Sequence, residues 1–233
     1  MTTEYVTLNQ VTHDYGRGRH AKTALTEVTF VVPQGQFVAV VGPSGAGKTT
    51  LLGVLGGTLR PSAGQVIVGG TQVDRLSEAE LALYRRHTVG MVFQHPHLFA
   101  ELTALENVLL PLGPARTRIG REQDRAREVL NQVGMGEKAG VEALRLDTGE
   151  ALRVAVARAL VQDPELMLVD DIASGVDADQ ASWLMELLRR LNNEGKTVMV
   201  TGHDASHAPT ADRVLRLKAG AIVGDQTEGE SGR

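Results

Sequence analysis

Short apolar runs alternate along the chain with longer amphipathic stretches. FVAVV, LMLV and TVMV are nearly continuous apolar segments, the pattern of strands covered on both faces, as in a parallel sheet. With their flanks, the main β-rich segments are 36–42 (QFVAVVG), 65–70 (QVIVGG), 87–94 (HTVGMVFQ), 165–171 (ELMLVDD) and 196–202 (KTVMVTG). KTALTEVTFVV (22–32) and RVLRLKAGAIVG (213–224) alternate more and carry turns, which predicts antiparallel pieces at an edge. Between about 95 and 160 the period becomes helical, in REQDRAREVLNQVG and EALRVAVARALVQ. Trp183, with Leu184, Leu187 and Leu188, marks the core face of a further helix. The order of elements predicts an α/β fold with a helical block inserted in its middle.

Composition narrows the class without naming it. In 233 residues, 42% hydrophobic and only 3% aromatic, the chain can bury a full, aliphatic core as one domain with an inserted sub-domain. The net charge is -4 with both signs scattered, so no basic face invites nucleic acid or a membrane surface. Absence of cysteine removes disulfides, thiolate metal sites and a cysteine nucleophile. MTTEYVTLNQ is polar, unlike a signal peptide, and no apolar run approaches the ~20 residues that span a bilayer. A cytoplasmic protein is expected. The last residues, 225–233, are small and polar and are expected to be a flexible tail. His13, His20, His87, His95, His97 and His207 show no ligand spacing and are expected at the surface.

VVGPSGAGKTTLL contains G-x-x-x-x-G-K-T from Gly42 to Thr49, after an apolar strand and before a helix. Backbone N–H groups of such a loop surround phosphate oxygens, and the helix start adds its dipole. Gly42, Ser44, Gly45, Ala46, Gly47 and Thr50 belong to this cradle, with Lys48 reaching the β- and γ-phosphates and Thr49 holding Mg²⁺. LMLVDD supplies the acid such a Mg²⁺ site needs at the end of a later strand: Asp170, acting through water.

With those motifs placed, the chain from about Tyr5 to Gly224 resembles the nucleotide-binding subunit of an ABC transporter. GPSGAGKTTLL, LGGTLRPSAG, RRHTVGMVFQ and LTALENVLLPL are most similar to the branch of lipoprotein-release, macrolide-export and cell-division ATPases. The resemblance implies a P-loop NTPase, RecA-like core with an antiparallel β edge: residues 1–94 and 161–224, around a helical sub-domain at 95–160. Its cofactors are ATP and Mg²⁺. Tyr15 takes the place of the aromatic that stacks on adenine. Gln94 matches the glutamine that touches Mg²⁺ and the attacking water. Asp177, in SGVD, matches the acid of the D-loop, and His203, in VTGHD, the histidine that contacts the γ-phosphate. Asp171 stands at the position of the general base. The implied partners are a separate transmembrane permease subunit and a second ATP-binding subunit in a head-to-tail dimer. The chain would then work at the cytoplasmic face of the membrane. No nucleic acid is implied: a soluble translation or repair ATPase is disfavoured by the lone phosphate loop, the lack of a long coiled coil and the lack of a basic face.

Two departures bear on activity. The family begins one helix with Leu-Ser-Gly-Gly-Gln or -Glu, and this signature faces the γ-phosphate bound by the other subunit. Here the segment is LDTGEALR: Asp147 replaces serine, Thr148 replaces glycine, Gly149 is kept and Glu150 is an accepted variant. A carboxylate ~4 Å from a phosphate costs about 1 kcal/mol in water and several in a drier site. Asp147 and Glu150 also have the spacing of a capping box, which is sound local helix chemistry. At the base position the family has glutamate; Asp171 is shorter by roughly 1.5 Å. A ~1 Å misplacement can cost ~100-fold in rate. The Pro-Thr or Pro-Ser that follows in the family is Ile172-Ala173 here. The expectation is a subunit that binds MgATP and hydrolyses it slowly or only with a partner. The alternative is a degenerate, ATP-gated half of a heterodimer.

Overall fold

The computed structural model describes residues 3–16, 18, 21–113, 120–171, 177–204 and 210–227. In chain order the elements are β1 (Glu4–Tyr15), β2 (Lys22–Pro33), β3 (Phe37–Val41), α1 (Lys48–Leu55), β4 (Ala63–Val68), β5 (Thr71–Gln72), α2 (Glu78–His87) and β6 (Val89–Val92). Then follow α3 (Ala104–Leu109), α4 (Arg121–Gln132), α5 (Thr148–Leu160), β7 (Leu166–Val169), α6 (Ala178–Asn193), β8 (Thr197–Gly202), β9 (Arg213–Lys218) and β10 (Ala221–Thr227). One sheet is antiparallel, in the order β2-β1-β4-β5; the other runs β10-β9-β3-β8-β7-β6. In the second sheet the neighbours from β9 to β6 are parallel, and β10 folds back antiparallel on β9.

The continuous apolar strands have a use for both faces. Phe37, Ala39 and Val41 of β3 join Met167, Val169, Val198 and Val200 in one core with α3, α4, α5 and α6. The alternate residues Val38, Val40, Leu166, Leu168 and Met199 join a second core with α1 and the antiparallel sheet. Period-2 alternation thus divides two apolar sets rather than an apolar from a polar one. Each fully buried Val or Leu in these cores contributes about 1.5–3 kcal/mol. α3 lies against α4 and α5, and α4 against α5, so the helical block shares the first core.

Four expectations need correction. β9 is an interior strand, parallel to β3; only β10 of that hairpin is an antiparallel edge. Residues 225–227, expected in the tail, close β10, where Nε and Nη2 of Arg213 donate to Asp225 at 2.7 and 2.6 Å. His13 is buried at 7% exposure, with Nδ1 donating to the Arg60 carbonyl at 2.8 Å. Trp183 is only half-buried at the rim of the first core, beneath Arg153. β1 is a strand that simple alternation does not announce, because its register with β2 and β4 slips near Gln10, whose φ is 49°. His20, His207 and residues 228–233 lie outside the described residues.

Helix starts are of two kinds. Ser77 with Glu80, Thr103 with Glu106, and Asp147 with Glu150 each form a full capping box at α2, α3 and α5. In each, a side-chain oxygen fills the orphan N–H groups of the first turn. α4, starting after Gly120, has no side-chain cap, and neither has α1, whose N-cap is Gly47.

Candidate nucleotide site

That uncapped start sits in a cavity of about 380 Å³ at the ends of β3, β7 and β8. The loop residues Ser44, Gly45, Ala46, Gly47, Lys48, Thr49 and Thr50 line it together with Tyr15, Gln94, Asp170, Asp171 and His203. Residues scattered over nearly two hundred positions therefore meet around one helix N-terminus. Its free N–H groups and dipole favour an anion. Gly42 stands behind the loop, and its carbonyl accepts from Lys48 Nζ at 2.7 Å, while Pro43 O accepts at 3.1 Å. Two of the three ammonium donors are thereby held on the loop. Lys48 is buried at 9% exposure.

Glycine is required at Gly47. Its φ is 106°, and a Cβ there would stand 2.4 Å from the Ala24 carbonyl oxygen. Gly47→Ala should cost about 2 kcal/mol, lowering the melting midpoint by roughly 4–8 °C. Calorimetry checks this; an unchanged midpoint would mean the loop relaxes freely.

The two aspartates leave β7 differently. Asp170 is buried, its N–H donates to Val92 O at 2.8 Å, and Oδ1 accepts from Thr201 Oγ1 at 2.7 Å. Asp171 has a φ of 47°, a left-handed conformation that aspartate tolerates better than most residues. Its N–H donates to the same Thr201 Oγ1 at 2.8 Å, and its buried Oδ1 has no hydrogen-bond partner among the described residues. Thr49 hydroxyl and these carboxylates form an all-oxygen donor set suited to Mg²⁺. Among the described residues no cluster of three His, Cys, Asp or Glu would hold a metal by itself. A Mg²⁺ here would take further ligands from phosphate and water, the usual manner for this ion.

Tyr15 is 45% exposed, its hydroxyl bonded to Thr50 Oγ1 at 3.1 Å and its ring edge-on to His13 at 4.7 Å between centroids. Lys22, Thr23 and Ala24 of β2 also line the cavity, without a signal in the sequence. Nothing in an exposed, alternating strand distinguishes them; only the fold carries β2 to the loop.

The LDTGE residues are elsewhere. Asp147 and Glu150 line a second cavity of about 460 Å³ with Asn131, Lys138, Arg153 and Gln180. Asp147 Oδ1 accepts from Glu150 N at 2.8 Å, and Glu150 Oε2 accepts from Asp147 N at 3.2 Å. Lys138 is paired to Glu150; that hydrogen bond, with Asp147 nearby, holds the ammonium above the ordinary lysine range. Thr148 is exposed on the first turn, and Gly149 faces Gln180 so closely that a Cβ would approach its Cδ at 2.8 Å. Arg153 donates to Gln180 Oε1 at 3.2 Å and Val133 O at 3.0 Å, and its guanidinium lies 4.0 Å over the Trp183 ring. Asp177 caps α6, accepting from Gln180 N at 2.8 Å, and lines neither cavity. The preceding SGV and Ile172-Ala173 lie outside the described residues.

A parallel sheet with an open glycine-rich helix start after β3, and acids at the end of β7 one strand further on, defines a P-loop NTPase cassette. The profile of the family described as "ABC transporter" matches residues 25–174. The chain belongs to the ABC transporter family. It is 40% identical over 228 residues to the lipoprotein-releasing system ATP-binding protein LolD 2 of Rhodospirillum rubrum, covering 96% of this chain and 98% of that protein. It is 38% identical over 224 residues to the macrolide export ATP-binding/permease protein MacB 1/2 of Paracoccus denitrificans, covering 96% of this chain. The chain spans about a third of the length of the macrolide export proteins it matches. Among solved structures, the dimeric post-hydrolysis state of the ATP-binding cassette MJ0796 bound to ADP and Pi superposes with a TM-score of 0.87 at 35% identity, covering 95% of this chain and 98% of that one.

Proposed function

We propose that this chain is the ATP-binding subunit of an ABC transporter or mechanotransmission complex. It binds MgATP at a head-to-tail dimer interface and drives a separate membrane subunit, hydrolysing ATP slowly or only with a partner. The supporting observation is the contrast between two helix starts. α1 begins at Gly47 with no side-chain cap, in the cavity lined by Lys48, Thr49, Gln94, Asp170, Asp171 and His203. α5 begins with its first turn already filled by Asp147 and Glu150. The first is open to the phosphates of the chain's own nucleotide; the second has less to offer a phosphate from a neighbour.

In this reading Lys48 and Thr49 hold phosphate and Mg²⁺. Gln94 and Asp170 support the ion, Asp171 serves as base at reduced efficiency, and His203 meets the γ-phosphate. Tyr15 stacks on adenine, and residues 95–160 are the sub-domain nearest the membrane partner. No described helix is long and apolar enough to cross a membrane, so attachment at the cytoplasmic face would pass through that partner. The relatives named as lipoprotein-releasing and macrolide-export proteins support this branch without fixing the cargo. A second reading, a catalytically degenerate and ATP-gated half of a heterodimer, draws on the same filled α5 start.

Purified chain should bind MgATP more tightly than about millimolar and, alone, turn over below ~1 s⁻¹, the low end for enzymes. Equilibrium binding and steady-state phosphate release check both. Affinity weaker than millimolar would defeat the proposal. Fast turnover without a partner would remove only its claim of slow hydrolysis.

A further inference from the structure

The hydroxyl of Thr201 stands between the two acids of the nucleotide site. Thr201 is fully buried near the end of β8, one residue beyond the last β7–β8 pair, Val169 with Val200. At that point β7 has ended, so the ladder offers no partner on that side, while Thr201 still pairs with Val40 of β3 on the other. A hydroxyl has one hydrogen to give and lone pairs to accept. Thr201 gives its hydrogen to Asp170 Oδ1 at 2.7 Å and accepts the Asp171 N–H at 2.8 Å. Asp170 is fixed on the other side by its own N–H on Val92 O. One side chain therefore sets which oxygen of Asp170 remains for the cavity. It also satisfies the peptide N–H that the left-handed turn at Asp171 takes out of the sheet.

We infer that Thr201 is a positioning residue for the metal: it orients Asp170 toward Mg²⁺ and holds Asp171 in its left-handed conformation beside it. The inference rests on the MgATP reading above. Partners that orient metal-site carboxylates are worth roughly 10–100-fold in metal affinity when removed. A buried threonine that merely fills space would have no such effect. One that only satisfies buried polar atoms would lower stability without changing the response to the ion.

The test is nucleotide binding titrated with Mg²⁺, read by a fluorescent ATP analogue, on the full chain. Thr201→Val keeps the shape and removes the hydroxyl; Thr201→Ser keeps the hydroxyl. Thr201→Val should raise the Mg²⁺ concentration for half-maximal enhancement of binding about 10-fold, leaving affinity in EDTA within about twofold. Thr201→Ser should return the Mg²⁺ response to within about threefold of wild type. An unchanged Mg²⁺ midpoint in Thr201→Val overturns the inference alone. So does an equal loss of affinity with and without Mg²⁺. Failure of the wild-type chain to bind MgATP overturns the nucleotide reading and this inference with it.

Discussion

Replacing Lys48 by alanine weakens MgATP binding about 1000-fold, or about 4 kcal/mol, the scale for truncating one side of a buried, hydrogen-bonded charge pair. Lys48 is 9% exposed and its ammonium is anchored on the Gly42 and Pro43 carbonyls, so it is presented to the cavity already ordered. Little rotamer entropy remains to be lost when phosphate arrives, and the third donor and the charge go to the ligand. Alanine removes that charge and leaves two carbonyls without their donor. Lys48→Arg should not rescue, because a forked guanidinium does not fit between two loop carbonyls as a compact ammonium does. Isothermal titration with ATP and Mg²⁺ checks the result. Binding within about tenfold of wild type would place the phosphates elsewhere.

Asp147→Ser with Thr148→Gly and Asp171→Glu should raise ATP turnover in the assembled complex about 100-fold, the scale that ~1 Å of misplacement carries. The first two changes act on the start of α5. Serine still accepts the Glu150 N–H, so the cap survives and stability moves by no more than about 0.5 kcal/mol. The carboxylate that would repel a facing phosphate is gone, a gain of several kcal/mol in a partly dry site. The third change lengthens the base by one methylene. It meets resistance, since Asp171 has a φ of 47° and glutamate adopts that conformation less readily than aspartate. The signature pair should therefore tighten ATP-driven dimerisation even without Asp171→Glu, seen by light scattering, while turnover needs all three. A triple variant no faster than wild type would favour the non-hydrolytic reading.

Much of the architecture was legible because it rests on short-range patterns. The apolar runs of β3, β7 and β8, the loop from Gly42 to Thr49 and the helical period of α4 and α5 all stand where the sequence predicts them. The capping box of Asp147 and Glu150 could be read from spacing alone, as could those at Ser77 and Thr103. The rest depended on long-range packing. β1 hides behind register slips, and β9 looks like an edge until β3 is found beside it. Lys22 and Thr23 are ordinary strand residues in the sequence, brought to the cavity only by the way the strands are ordered, and Thr201 is another, brought beneath the two acids. His13 reads as a surface histidine in the sequence because its hydrogen-bond partner, a backbone carbonyl at Arg60, has no sequence signature.

Arg153 has a mechanical consequence. Its guanidinium fastens α5 to the end of α4 through Val133 O and to α6 through Gln180 and Trp183, while Gly149 sits directly on Gln180. α6 begins at Ala178, capped by Asp177, a few residues after Asp171 of the nucleotide cavity. α6 is thus fastened to the helix start that lines the second cavity. With contacts this close, a displacement of α6 would be passed to the start of α5 rather than absorbed between them. Such a linkage makes α5 and α6 move as a single lever at the second cavity.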